Sequence, residues 1–238
     1  MNNSTNQYVP SIGLGTYNMS SEEAEKMTYE AIKYGYRHID TAAVYKNEDG
    51  VARALKRIFK ETQLRRDDVF ITTKLWPGGL IKLDRIRDYK DTLKSFEKSL
   101  MRLNLEYIDL YLIHSPHGKN KRIEQWKSLM KLKETEKVKY IGVSNWGINH
   151  INELKENDLP LPDANQIEIH PWSQKPELIK YLRENNIDII AYSSLVPLST
   201  WRHKVGENSK KTDEMYKLGE SDDSPFKLLA QKLSLIHI

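Results

Sequence analysis

Four residues of this sequence, Asp40, Tyr45, Lys74 and His114, could together deliver a proton to a carbonyl oxygen. A cationic Lys near a phenol favours the phenolate, which draws a Tyr pKa from its reference of about 10 toward neutrality. A carboxylate such as Asp40 would hold that Lys charged and in place. A Tyr tuned in this way can give its proton to oxygen as hydride arrives at carbon, while an adjacent imidazole orients the carbonyl. Lys74 is the least easily dismissed of the four, because Val69-Phe70-Ile71-Thr72-Thr73-Lys74 ends an apolar run in an ammonium that is expensive to bury unpaired. Singly, each has a plainer reading: a Tyr after a strand is usually packing, and a lone His is more often a satisfied core residue.

The elements that must position these groups follow from periodicity. Short β-branched or apolar runs at 12–16, 38–42, 69–75, 107–114, 140–145, 164–169 and 188–195 read as strands, and their starts lie 24 to 38 residues apart, which suits βα units. Between the first two, Ser20 and Glu23 form a capping box ahead of Ala24, Met27, Ala31 and Ile32, with Gly35 as a stop. After the second strand, Val51, Ala54, Leu55, Ile58 and Phe59 mark one helical face; after the third, Tyr89, Leu93, Phe96, Leu100 and Leu103 mark another. Shorter helices are expected around 123–133, 148–154 and 177–183. This alternation predicts an α/β fold, a parallel sheet with crossover helices. In a (β/α)8 TIM barrel, chemistry gathers at the C-terminal ends of the strands. Those ends carry Thr16 and Tyr17, Asp40 and Tyr45, Lys74 and Trp76, His114, Ser144 and Asn145, Gln166 and Glu168, and Tyr192 and Ser193.

Taken in order, these segments resemble the aldo-keto reductase superfamily. The likeness runs through Gly13-Leu14-Gly15-Thr16-Tyr17, Asp40-Thr41-Ala42-Ala43-Val44-Tyr45-Lys46-Asn47-Glu48, Thr73-Lys74-Leu75-Trp76, Tyr107-Ile108-Asp109-Leu110-Tyr111-Leu112-Ile113-His114, Ile141-Gly142-Val143-Ser144-Asn145 and Asn165-Gln166-Ile167-Glu168-Ile169-His170-Pro171. The resemblance implies a (β/α)8 barrel and NADPH-dependent reduction of an aldehyde or ketone to an alcohol, with Asp40, Tyr45, Lys74 and His114 as catalytic tetrad and Tyr45 as the acid. It implies that Ser144, Asn145 and Gln166 hold the nicotinamide carboxamide, and that Tyr192 stacks on the nicotinamide ring. Asp40, Ser193 and Leu195 join the cofactor contacts; Gly15, Thr16 and Tyr17 line the mouth shared by cofactor and substrate; Tyr17, Trp76 and His114 face substrate. The plainer alternatives are that Ser144 and Asn145 form a turn and cap before Ile148, that Gln166 is a satisfied polar residue, and that Trp76 or Tyr192 is packing. Since the superfamily includes potassium-channel β subunits, a non-catalytic, cofactor-sensing regulatory subunit is the alternative function.

Composition narrows the partners. The 238 residues are 39% apolar and 29% charged, and no uncharged apolar stretch approaches the ~20 residues of a membrane span. The net charge of +4, from 37 basic against 33 acidic residues, is scattered rather than clustered, so neither nucleic acid nor membrane is an expected partner. A small carbonyl compound is the expected one, with the whole protein a monomer. There is no cysteine and no signal-like start, which fits a cytoplasmic protein. No metal is expected: His114 and His117 have Pro116 between them and no third ligand. Gly13-Leu14-Gly15 is no Rossmann fingerprint, because Asn18 stands at the third glycine position.

The sequence departs from the superfamily at Ser194, where relatives carry Pro, and at its end. Seven βα units are expected within 1–198, a polar loop at 199–225 and the start of a seventh-unit helix at 226–232. An eighth strand and the segment that grips the adenosine 2′-phosphate in relatives do not follow. Residues 233–238 resemble one reading frame of a sequencing-library adapter, so the chain is expected to be a barrel truncated after its seventh strand, with an artificial tail. As it stands it could be an inactive fragment of the reductase.

Overall fold

The computed structural model describes residues 8–81, 83–195, 213–214, 217, 221 and 225–232. They fall into two compact units: one runs to Ile167 and takes in Glu177–Ile190, the other comprises Glu168–Pro176 and the chain from Ala191. Seven strands form one sheet in chain order: β1 (Leu14–Gly15), β2 (His38–Asp40), β3 (Phe70–Leu75), β4 (Ile108–Ile113), β5 (Val138–Ser144), β6 (Ala164–Glu168) and β7 (Asp188–Tyr192). Every neighbouring pair from β1 to β6 is parallel. The crossovers carry α1 (Ser21–Lys33), α2 (Glu48–Glu61), α3 (Tyr89–Leu103), α4 (Arg122–Glu134), α5 (Ile148–Glu156) and α6 (Pro176–Glu184). This is a (β/α)8 barrel fold with seven strands, and no eighth, among the described residues.

Parallel strands with helices over them read as unbroken apolar runs because both faces are covered. β4, Ile-Asp-Leu-Tyr-Leu-Ile, is buried at all six positions, and Asp109 within it is satisfied by the Arg66 guanidinium at 2.6 Å and the Ile71 amide at 2.9 Å. The sequence face Val51, Ala54, Leu55 and Ile58 is the buried side of α2, as Phe96, Leu100 and Leu103 are of α3. α1 starts where its capping box predicts: Ser20 Oγ accepts from the Glu23 amide at 3.1 Å and the Glu23 carboxylate accepts from the Ser20 amide at 2.7 Å. Gly50 lets α2 approach α1, for a Cβ there would stand 2.0 Å from the Ser21 carbonyl oxygen.

Three strands stand between β2 and β6, which in a flat sheet would put these two about 19 Å apart at ~4.8 Å per strand. Yet Gln166 Nε2 on β6 donates to Asp40 Oδ2 at the end of β2 at 2.7 Å. The sheet therefore curls until the C-terminal strand ends meet.

The two outermost strands are shorter than the sequence implies. β1 spans two residues rather than 12–16, since its partner β2 is itself only three long and pairs at Leu14↔Ile39 and Gly15↔Asp40. β7 stops at Tyr192 instead of 195 because Ser193 adopts φ 55°, a left-handed conformation that leaves extended geometry. A helix at Pro225–Lys232 covers the expected helical start. Most of the loop expected at 199–225, and the tail at 233–238, lie outside the described residues.

Candidate active site

Lys74 is fully buried and held by three oxygens. Its Nζ donates to Asp40 Oδ1 at 2.5 Å and to the Thr41 carbonyl at 2.9 Å, and lies 3.5 Å from Tyr45 Oη. Strand register explains the meeting: Asp40 ends β2 opposite Thr72, and Lys74 is two residues further along β3 on the same face. After β2 the chain turns through one 3₁₀ turn, Ala43–Tyr45, which carries the phenol back over Lys74. β4 delivers His114, whose amide donates to the Leu75 carbonyl at 3.0 Å, and its ring stands edge-on to Tyr45 with centroids 5.5 Å apart. The four residues singled out for proton donation thus share one end of the sheet.

Trp76 and Tyr17 flank this group. Trp76 packs edge-on to His114 at 5.8 Å and Tyr17 edge-on to Tyr45 at 5.1 Å. Trp76 Nε1 donates to Asp84 at 2.8 Å, which fixes its ring; Asp84 carries no signal in the sequence beyond being an acid in a loop.

The electrostatics correct one expectation. The Tyr45 pKa is raised rather than drawn toward neutrality, first by burial, then by the Asp40 charge, then by Tyr17. The physical reason lies in the ion pair: Asp40 at 2.5 Å neutralises most of the Lys74 field at the phenol, so desolvation of the anion decides. His114 is lowered to about 3 by burial and, next, by the Lys74 cation, so its imidazole is neutral above mildly acidic pH. Its Nδ1 is buried and has no hydrogen-bond partner among the described residues.

The amide-bearing residues assemble beside the tetrad. Ser144 Oγ and the Asn145 amide both donate to the Gln166 carbonyl at 2.9 Å, and Asn145 Nδ2 donates to the His114 carbonyl at 3.2 Å and to Ser144 Oγ at 3.1 Å. Gln166 in turn reaches Asp40. Gly15 is exposed, and a Cβ there would meet nothing within 4 Å, whereas Thr16 beside it is buried with its amide on the Asp40 carbonyl at 2.9 Å. Tyr192, Ser193 and Leu195 belong to the second compact unit: Tyr192 closes β7, Ser193 follows it, and Leu195 is exposed. Glu168 also lies there, 3.4 Å from His170 Nε2. His117 is occupied by the Ser115 hydroxyl at 2.8 Å.

With this geometry established, similarity to known proteins is informative. Residues 11–231 match the model of the aldo/keto reductase family. The chain belongs to that family. It is 42% identical over 189 residues to a glyoxal reductase of Bacillus subtilis, covering 79% of this chain and 64% of that protein. A methylglyoxal reductase of Yersinia pestis is 39% identical over 188 residues, covering 79% of this chain and 63% of that protein. The chain therefore spans a little under two thirds of the length of these curated relatives. Among solved structures, an aldo/keto reductase from Brucella melitensis superposes with TM-score 0.72 at 40% identity, covering 82% of this chain and 72% of that one. The Bombyx mori aldo-keto reductase in complex with NADP superposes with TM-score 0.78 at 29% identity, covering 95% of this chain and 73% of that one. No described helix is long and apolar enough to cross a membrane.

Sequence reasoning assigned no role to Asn47 and Glu48. Glu48 is 1% exposed and accepts from Thr73 Oγ1 at 2.6 Å and from Arg102 Nε at 2.7 Å, anchoring the start of α2 to the strand that carries Lys74. Two polar residues directly before an apolar helical face were the available signal.

Proposed function

We propose that the protein reduces an aldehyde or ketone to an alcohol with NADPH, Tyr45 supplying the proton. The observation that carries this reading is the chain of contacts from Asp40 through the buried Lys74 to Tyr45, with a neutral His114 against the phenol. The donor set fits a nicotinamide carboxamide: Ser144, Asn145 and Gln166 offer hydroxyl and amide groups of both polarities, and the open space over Gly15 admits a ligand close to backbone. These residues, with the exposed Tyr17 at the mouth, would hold the cofactor, whereas Thr16 is wholly buried with its polar groups turned to Asp40 and Asn47. When bound, the reduced nicotinamide supplies the hydride that reaches the carbonyl carbon.

The chain's own residues do the rest. Tyr45, kept protonated by its raised pKa, donates Oη–H to the carbonyl oxygen as negative charge develops there. An alkoxide is a stronger base than a phenolate, so the transfer runs downhill even from a Tyr whose proton is tightly held. Lys74 stabilises the phenolate left behind, and Asp40 keeps Lys74 in place. His114, neutral, can donate one ring N–H to the same oxygen without adding a cation beside Lys74. Trp76 beside His114 and Tyr17 beside Tyr45 would supply apolar walls for a bound carbonyl compound. The names of the relatives support small reactive aldehydes as the first substrates to try.

The test is loss of reduced-nicotinamide absorbance with glyoxal, methylglyoxal and a generic aldehyde, alongside fluorescence titration of NADPH. Turnover that depends on Tyr45 is expected. NADPH binding without turnover on any carbonyl would overturn the reading in favour of a cofactor-sensing role.

A further inference from the structure

Asn47 occupies the N-cap position of α2, where an Asn ordinarily accepts from the helix's own amides, yet its side chain makes no cap hydrogen bond. Asn47 itself has φ −134° and ψ 16°, off the extended backbone from which an N-cap side chain reaches back to the helix's amides. The side chain is 0% exposed and uses its full amide capacity elsewhere. Oδ1 accepts from Thr16 Oγ1 at 3.2 Å and Thr41 Oγ1 at 3.0 Å; Nδ2 donates to the Thr16 carbonyl at 2.8 Å and the Met19 carbonyl at 3.0 Å.

Each of these partners adjoins a group in the site. Thr16 and Met19 bracket Tyr17, whose ring stands edge-on to Tyr45. Thr41 supplies the carbonyl that accepts from Lys74 Nζ at 2.9 Å. Tyr45 itself is two residues away in the chain, at the end of a single 3₁₀ turn that has no regular element to brace it before α2. We propose that Asn47 is a positioning residue that sets the Tyr45 hydroxyl against Lys74 by clamping the loops after β1 and β2 together. The inference rests on Tyr45 being the proton donor. Being wholly buried, Asn47 acts through Tyr45 and not on substrate.

The decisive experiment is a double-mutant cycle between Asn47→Ala and Tyr45→Phe, with rates normalised to folded, NADPH-binding molecules. Asn47→Ala should lower kcat on the order of 10²-fold, the scale of an ångström-sized misplacement, and leave KM for the carbonyl little changed. In the Tyr45→Phe background the same substitution should cost less than roughly twofold, because the group it positions is gone. Effects that simply multiply, or a kcat per folded molecule equal to that of the unmodified protein, would overturn the inference. If Asn47→Ala does not fold, Thr41→Val removes only the 3.0 Å bond to Oδ1 and should lower kcat by a few-fold with KM unchanged; no change there overturns it as well. Full turnover by Tyr45→Phe alone would instead defeat the proton-donor reading and the inference with it.

Discussion

Replacing Tyr45 by Phe isolates the chemistry from the fold. Among the described residues the only hydrogen-bond partner of Oη is Lys74 Nζ at 3.5 Å, too long to contribute much to stability. The ring contacts that seat the side chain, to Tyr17 at 5.1 Å, to His114 at 5.5 Å and under the Lys74 ammonium at 5.1 Å, are all available to Phe. Lys74 also keeps its two shorter bonds, to Asp40 and Thr41. Stability should therefore change by less than ~1 kcal/mol, a melting shift of no more than about 4 °C for a chain of this size. Activity should fall far more. Loss of a positioned general acid costs roughly 10²–10⁴-fold in rate, or about 3–5 kcal/mol of transition-state stabilisation. The assay pairs steady-state reduction of methylglyoxal with NADPH fluorescence titration and a thermal melt on the same preparation. A Phe variant that folds, binds NADPH and turns over within about fivefold of the unmodified protein would refute the assignment of Tyr45 as the donor.

Three further outcomes are expected. Lys74→Met leaves the Asp40 carboxylate without its buried cation and should cost roughly 3–5 kcal/mol in denaturant unfolding, together with nearly all turnover; retention of both would dismiss the ion pair as a working part. His114 has a folded pKa of about 3 against a reference of 6.5, so the unfolded chain binds more protons between those values and stability must fall as pH drops through that window, by on the order of 5 kcal/mol at its limit. His114→Asn should flatten that acid limb, and an unchanged pH dependence of melting would show that His114 is not its source. Gly50→Ala forces a Cβ to within 2.0 Å of the Ser21 carbonyl oxygen, so α1 and α2 must separate at a cost of about 1–3 kcal/mol, measured by chemical denaturation, with kcat per folded molecule unaltered.

Much of the scaffold was legible because its signals are local. The Ser20/Glu23 capping box, the Val51-Ala54-Leu55-Ile58 face and the largely apolar β4 each act within a few residues of themselves, and periodicity reads such patterns directly. The demand of Lys74 for a carboxylate could also be argued from the cost of burying an ammonium, and Asp40 meets it. The short β1 and β7 were not legible, because strand length at the margin of a sheet depends on what pairs with it rather than on β-propensity. Nor was the role of Asn47, since its four partners come from Thr16, Met19 and Thr41, up to 31 residues away, and its position before a helix favours the plainer reading as a cap.

The upward shift at Tyr45 bears on how such a site works. In the resting state Asp40 binds Lys74 through Oδ1 and Gln166 through Oδ2, so the cation is compensated and the phenol sees little net field. A neutral phenol gains little from an ammonium 3.5 Å away. On the proposed role of Tyr45, the phenolate formed as the proton leaves meets an ammonium already shared with Asp40, so Lys74 offsets only part of the cost of desolvating that anion. Permanent lowering of the Tyr45 pKa would be the poorer arrangement, because it would leave part of the population deprotonated and unable to donate. On the proposed reading, a phenol whose pKa is held high keeps its proton at every working pH, and its transfer is driven by the greater basicity of the alkoxide.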